Sequence, residues 1–249
     1  MRGTILGRGA FGTVIKSYAK NDKTKEHPYA IKIINKDKME DPDEMCNEIE
    51  ILWTLDHPNI VKYHETYSDQ HKMYLVMEYC PYGILDSQDG SSDLKMYTED
   101  ESKDLMRQLL QAMMHYNCHG IIHRDIKPDN IMIGVNGKPR FCDFGVSKKV
   151  SNKTTDKSLR TEVGTDLYKS PEVLLRKYDE KCDIWALAVV LYQMITCDMP
   201  FFPDQGLGAL IKAIKQGNYK PMPEGTSTDI QDLIKNMLKV DVKQRFSAE

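Results

Sequence analysis

The sequence predicts an α+β fold in two lobes, a small β-rich one followed by a larger, mostly helical one. Two observations carry this expectation. The first eighty residues hold five short runs rich in β-branched and aromatic residues, at 4–6, 13–18, 29–34, 60–67 and 73–79. Past residue 79 the apolar residues recur at helical spacing instead. Leu105, Met106, Leu109, Met113 and Met114 run toward Gly120, and Ile230, Leu233, Ile234, Met237 and Leu238 repeat the pattern near the end.

Each element has its own signal. One helix interrupts the strands: Asp41 is its expected N-cap, Pro42 suits the first helical position, and Glu44 completes a capping box. His57-Pro58 lies beyond its end. Thr98 and Glu101 form a second capping box ahead of the first long helix. Between the halves, Cys80-Pro81-Tyr82-Gly83 reads as a hinge and 86–93 as a polar loop. The expected organisation is therefore 1–79 as the small lobe, 80–83 as the hinge and 84–249 as the large lobe. The methionines of the helical stripe read as core, not as a cofactor box.

Composition narrows the class. With 41% hydrophobic and 29% charged residues in 249, the chain is globular rather than disordered. A net charge of -3 gives no field that favours nucleic acid or an anionic membrane. The six cysteines (46, 80, 118, 142, 182 and 197) contain no CxxC pair, which reads as reduced thiols in an intracellular protein, cytoplasmic or nuclear. No signal-peptide stretch opens the chain. The longest apolar run, Ile184 to Cys197, contains Gln193 and is flanked by Asp183 and Asp198. It is too short for a membrane segment and reads as a buried helix.

The most informative segment is His123-Arg-Asp-Ile-Lys-Pro-Asp-Asn130, followed thirteen residues later by Asp143-Phe144-Gly145. It sets the Asp125 carboxylate, the Lys127 amine and the Asn130 amide in one tight loop, with the Asp143 carboxylate on the next strand. Such a group can take a proton from a hydroxyl, balance phosphate charge and hold divalent cations at a nucleotide. Gly7, Gly9, Gly12 and Val14 form GxGxxGxV. Alone this pattern also fits dinucleotide-binding folds. Here it leads into a second strand instead of a helix, so the glycines tip a hairpin whose backbone can lie close over phosphates. Lys32 stands in a strand between apolar pairs, Tyr29-Ala30 and Ile33-Ile34, where a lysine is costly to bury unless paired. Glu48 is its expected counter-ion, with Glu50 the alternative. An exposed strand lysine is the alternative reading of Lys32.

GRGAFGTV, AIK, HRDIKPDN, DFG, SPE and DIW occur in order along the whole chain, and in this the sequence resembles the eukaryotic protein kinase family. YAIKIINKDK, LDHPNIVK and YLVMEYC look like the calmodulin-dependent and calcium-dependent group, while GTDLYKSPE is more similar to NIMA-related kinases. The resemblance implies a two-lobed kinase fold and an ATP-dependent transfer of phosphoryl groups to protein hydroxyls. Lys127 two residues after Asp125, with Thr165 positioned to bridge them, implies serine/threonine substrates. It also implies roles. Asp125 accepts the hydroxyl proton and Lys127 steadies the moving phosphoryl group. Asn130 and Asp143 hold Mg²⁺, with Mn²⁺ as the alternative. Lys32, paired with Glu48, holds the α/β-phosphates. Gly7, Gly9, Gly12, Val14, Ala30, Met77, Glu78 and Cys80 surround the nucleotide. His123 and Phe144 pack. Glu172 pairs with Arg245, and Asp183 anchors the catalytic loop backbone, although a plain helix cap explains Asp183 equally well at this stage.

Thr161, three residues before Gly164, matches the family's activating phosphorylation site, and Arg124 with Lys148 matches the pocket that receives the phosphate. An upstream kinase or autophosphorylation in trans would supply it. An unmodified loop threonine is the alternative. The chain departs from the family at Gly83-Ile84, where Gly-Glu is common, and at Ser170, where alanine is common. Against the family's length it reads as a catalytic domain trimmed at both ends. Two other classes compete: a pseudokinase that uses the fold as a scaffold, and a small-molecule kinase of related fold. The first is opposed by the presence of Lys32, Asp125 and Asp143, the second by the SPE and Gly164-Thr165 segment.

Overall fold

A five-stranded antiparallel sheet in the order β1-β2-β3-β5-β4 forms the first lobe. Its strands are Thr4–Gly9 (β1), Gly12–Tyr18 (β2), Pro28–Asn35 (β3), Tyr63–Ser68 (β4) and Lys72–Glu78 (β5). The computed structural model describes residues 3–9, 12–38, 49–85, 96–145, 147–149, 165–176, 178–202 and 206–249. The expected helix start at Asp41, Pro42 and Glu44 lies outside them. Residues 49–54 are helical (α1) and bury Ile51 and Leu52 toward the core. β2, marked in the sequence by its β-branched and aromatic residues, alternates in burial with Ile15 and Ser17 inward, as a half-buried strand does.

One strand differs from expectation. Ile60 and Val61 do not belong to β4. Ile60 makes a parallel bridge to Phe141, and the Val61 amide donates to the Phe141 carbonyl at 2.9 Å. Apolar β-branched residues there serve a contact between lobes, which local patterning cannot separate from a strand.

The second lobe is built on α2, Glu99–Cys118, and α4, Lys181–Thr196. Thr98 caps α2 through the Glu101 amide, and Glu101 reaches back to the Thr98 amide, completing the capping box. α2 buries Leu105, Met106, Leu109, Ala112, Met113 and Tyr116, whereas Met114 stands 39% exposed. Met114 thus leaves the expected stripe, because adjacent residues lie about 100° apart on a helix. In α4 every residue from Cys182 to Met194 is buried, the signature of a helix surrounded by protein. Pro171–Leu174 (α3), Leu207–Gln216 (α5) and Thr228–Met237 (α6) complete the helical set. Among the described residues no helix is long and apolar enough to cross a membrane, and the described cysteines are free thiols.

Two short antiparallel ladders follow, Ile121–Ile122 (β6) with Lys148–Lys149 (β9) and Ile131–Ile133 (β7) with Pro139–Phe141 (β8). β7 hydrogen-bonds the 83–85 stretch through Ile133 N to Gly83 O and Leu85 N to Ile131 O, both 2.8 Å. From β8, Arg140 pairs with Glu78 at 3.0 Å and donates to the Pro58 carbonyl. A Cβ on Gly134 would stand 2.5 Å from Arg140 Nε, so glycine keeps that path open.

Three imidazoles meet where the turn after α1 touches the end of α2. The His57 and His115 rings lie 5.3 Å apart, and His115 and His119 lie 4.8 Å apart. Burial, then the neighbouring imidazole, holds both His57 and His115 below the ordinary histidine pKa, with Asp56 opposing at His115. The neutral rings therefore favour the folded state above the ordinary value of 6.5, and that contribution is lost as pH falls through the depressed values. The melting temperature is expected to fall by a few degrees between about pH 7.5 and 5.5. His115→Gln should flatten the profile. An unchanged slope in that variant would remove the cluster as the cause.

Candidate active site

The catalytic loop leaves β6 at His123 and re-enters the fold through a 3-10 turn, Pro128–Asn130. Its first residues are pinned from below. Asp183, in the first turn of α4, accepts the His123 amide at 2.8 Å, the Arg124 amide at 2.9 Å and the Tyr116 hydroxyl at 3.0 Å. Burial raises the Asp183 carboxyl, while His123 and these donors pull it back, leaving it above the ordinary value. Glu180, not Asp183, occupies the N-cap position of α4, which sets the plain helix-cap reading aside. Arg124, whose amide is one of these donors, adopts a φ of 69°, a conformation that costs a non-glycine residue energy.

The His123 ring joins the loop to the Asp143 segment. Its Nδ1 faces the Asp125 amide at 3.4 Å and its Nε2 lies 3.1 Å from the Cys142 carbonyl, so the tautomer carries its proton on Nε2. Phe144 packs against it with ring centroids 4.7 Å apart, and both side chains are fully buried. The Cys142 amide donates to the Asn130 carbonyl at 3.0 Å, placing Asp143 next to the loop. Asp143 adopts a φ of 59°.

Two donors converge on one oxygen of Asp125. Asn130 Nδ2 reaches Asp125 Oδ2 at 2.8 Å and Lys127 Nζ reaches the same atom at 2.9 Å. Asn130 Nδ2 also donates to the Asp125 carbonyl at 2.8 Å. With its amide nitrogen so engaged, Asn130 offers its Oδ1 as an acceptor.

Across the cleft, Lys32 in the middle of β3 contacts Asp143 Oδ1 at 2.9 Å. Lys32 is 14% exposed, which sets aside the exposed-lysine reading, and 48% of the Asp143 side chain is accessible. The carboxyl nevertheless sits deep enough between the lobes for burial to push its pKa up. The Lys32 ammonium, through its charge and its hydrogen bond, together with His123 and the Gly145 amide, outweighs this and holds Asp143 below the ordinary value. An Asp143 oxygen and Asn130 Oδ1 are the hard donors that Mg²⁺ prefers, so the residues present fit that cation.

Strand register places the remaining positions. Val14 stands opposite Lys32, and Ala30 opposite Met77. A Cβ on Gly12 would lie 1.9 Å from the Ile33 carbonyl, so β2 and β3 approach this closely only with glycine. Around Gly7, by contrast, a Cβ would meet nothing within 4 Å. Gly9 closes β1 opposite Gly12. Cys80 is buried in the hinge, and burial pushes its thiol up to about 12, which makes it a packing residue and not a nucleophile. The Glu78 carboxylate is engaged by Arg140 and by the Lys62 amide at 3.3 Å.

Of the expected pairs, Glu172 and Arg245 meet in a buried bidentate contact. Glu48 and Thr161 lie outside the described residues, as do the side chains of Lys148 and Thr165. The backbone still places Lys148 opposite Ile122, two residues before Arg124. Three features escaped sequence reasoning: the Arg140–Glu78 link, the Arg124–Tyr178 contact and a buried Lys169–Asp166 pair at 2.6 Å. Only the last had a local signal, its i,i+3 spacing.

A carboxylate oriented by lysine and amide, beside a lysine–carboxylate pair under a glycine hairpin, is the arrangement of a protein kinase domain. The chain matches the protein kinase domain family over residues 1–249 and belongs to it. It is 34% identical over 250 residues to calcium-dependent protein kinase 5 of Plasmodium falciparum (isolate 3D7), covering 98% of this chain and 42% of that protein. Calcium-dependent protein kinase 4 of the same organism is 34% identical over 254 residues, covering 98% and 46%. Serine/threonine-protein kinase DCLK3 of Mus musculus is 33% identical over 258 residues, covering 99% and 31%. The chain thus spans less than half the length of these curated relatives.

Proposed function

We propose that this protein transfers the γ-phosphoryl group of MgATP to serine and threonine hydroxyls of proteins. The observation that carries the reading is the placement of both Lys127 and Asn130 on Asp125 Oδ2, which leaves Oδ1 to receive a substrate hydroxyl. The nucleotide would lie between lobes 1–79 and 84–249, its base against the 80–83 hinge with Ala30 and Met77, its phosphates beneath Gly7, Gly9 and Gly12. Asn130 and Asp143 would hold Mg²⁺, or Mn²⁺, which when bound neutralises charge on the phosphates.

Asp125 orients the incoming hydroxyl for in-line attack and takes its proton. Lys127 stands within reach of the moving phosphoryl oxygens, and Lys32 is poised to share its ammonium between Asp143 and the α/β-phosphates. The transition state is loose and its charge is spread, so fixed charges supply most of the stabilisation. Phosphorylation of Thr161, by another kinase or in trans, adds roughly -1.5 to -2 charge and orders the activation segment against Arg124 and Lys148.

The test is label transfer from γ-labelled ATP to a generic protein substrate, with and without magnesium, using Lys32→Met as the inactive control. Magnesium-dependent transfer is expected. A nucleotide-induced thermal shift with no transfer would instead favour a scaffold. The switch is tested separately, by comparing Thr161→Ala with Thr161-phosphorylated protein on a peptide. Equal activity in the two would remove it.

A further inference from the structure

Asp183 is a buried carboxylate whose two oxygens divide their donors. Oδ1 accepts the Arg124 amide at 2.9 Å and has the Cys182 thiol 3.8 Å away. Oδ2 is shared by the His123 amide at 2.8 Å and the Tyr116 hydroxyl at 3.0 Å. Tyr116 comes from the last turn of α2 and belongs to none of the motifs that mark the loop. Its side chain is fully buried, with the ring roughly perpendicular to Phe141 and to Phe144 at 6.0 Å between centroids. The hydroxyl therefore has a fixed place beneath the loop that carries Asp125.

The titratable and charged groups that face Asp183 are Tyr116 from α2, His123 and Arg124 from the loop, and Cys182 beside it. Burial, then the Asp183 charge, holds the Tyr116 phenol and the Cys182 thiol well above their ordinary pKa values. Both keep their protons, so Tyr116 stays a donor to the carboxylate. Burial pushes the Asp183 carboxyl up, and the Tyr116 hydrogen bond is one of the contacts that pull it back. A hydrogen bond to an ionised group can change a protonation equilibrium roughly 10- to 100-fold. A protonated Asp183 would turn a hydrogen toward groups that now donate to it, and the loop would lose an anchor.

We infer that Tyr116 is a positioning residue, whose hydroxyl keeps Asp183 an acceptor on both oxygens and so holds the catalytic loop in place. The inference rests on the kinase reading proposed above and adds a group outside its motifs. Tyr116→Phe keeps the buried ring and removes only the hydroxyl, so the protein should fold and melt only a few degrees lower. Wild type and variant would be compared from about pH 8 to pH 6 by two measurements. The first is kcat for phosphoryl transfer at saturating substrates. The second is hydrogen exchange of the peptide holding the His123 and Arg124 amides, corrected for intrinsic rates, which needs no turnover.

The variant's kcat is expected to lie within about 3-fold of wild type at the alkaline end and to fall roughly 10-fold further behind at the acid end. Titration of the nucleotide and of groups that touch it is common to both proteins and cancels in the ratio. Protection of the two amides should drop over the same acid limb, in the variant first. A kcat ratio that stays flat with pH overturns the inference, because a tyrosine that merely packs costs the same at every pH. Unchanged amide protection overturns it as well. If the wild type transfers no phosphate, the kinase reading fails by itself, and the exchange data alone decide whether Tyr116 holds the loop.

Discussion

Asp125→Asn is expected to lower kcat by about 10²- to 10⁴-fold, the usual contribution of a positioned proton acceptor. The melting temperature should hardly move. The substitution is nearly isosteric, and the new amide keeps one oxygen that can face Asn130 Nδ2 and Lys127 Nζ, the two donors now on Oδ2. That choice fixes the amide orientation. Its NH₂ then points where the substrate hydroxyl must arrive, presenting a donor to a donor, so the hydroxyl loses both its aim and its proton acceptor. KM for ATP should stay within a few-fold, because the Lys32–Asp143 pair across the cleft is untouched. Steady-state kinetics on purified protein check this, with nucleotide binding measured directly to separate chemistry from affinity. Near-wild-type turnover would remove Asp125 from the role of base.

How much of this was legible in the sequence depends on how far apart the partners lie along the chain. The Thr98–Glu101 box is written in a four-residue window, and the structure forms it as read. The apolar run through α4 likewise signals burial on every side, and that helix is buried along its length. Contacts that cross the fold leave no such trace. Lys32 meets Asp143, 111 residues away, and Arg140 reaches the Pro58 carbonyl 82 residues back. Nothing local distinguishes Arg140 from any half-buried strand arginine. Ile60 and Val61 show the same limit from the other side, since a bridge to Phe141 and a strand both ask for β-branched residues. Motif order along the whole chain supplied what periodicity could not. It placed Asp183 under the loop, where the helix pattern alone left a cap as an equal alternative.

Arg245→Met is expected to destabilise the fold by about 3–5 kcal/mol, a large share of the roughly 5–15 kcal/mol that holds a domain together. The Arg245 side chain is fully buried and Glu172 is 10% exposed. Its guanidinium makes the bidentate contact to Glu172, donates from Nε to the Lys239 carbonyl and from Nη1 to the Lys181 carbonyl, both at 2.9 Å, and lies 5.1 Å over the Trp185 ring. Methionine fills much of the volume but leaves the Glu172 carboxylate buried without a counter-charge, which is the costly half of breaking an internal pair. The consequence reaches the active site, because Glu172 sits in α3 and Lys181 opens α4, the helix whose Asp183 holds the catalytic loop. Denaturant unfolding and a melting-temperature loss of roughly 6–20 °C would register the change. Pairing Arg245→Met with Glu172→Leu should recover part of the loss, since an apolar replacement of both partners removes the stranded charge. If the double variant is less stable than Arg245→Met alone, the carboxylate was not the source of the cost, and the carbonyls of Lys181 and Lys239 would carry it instead.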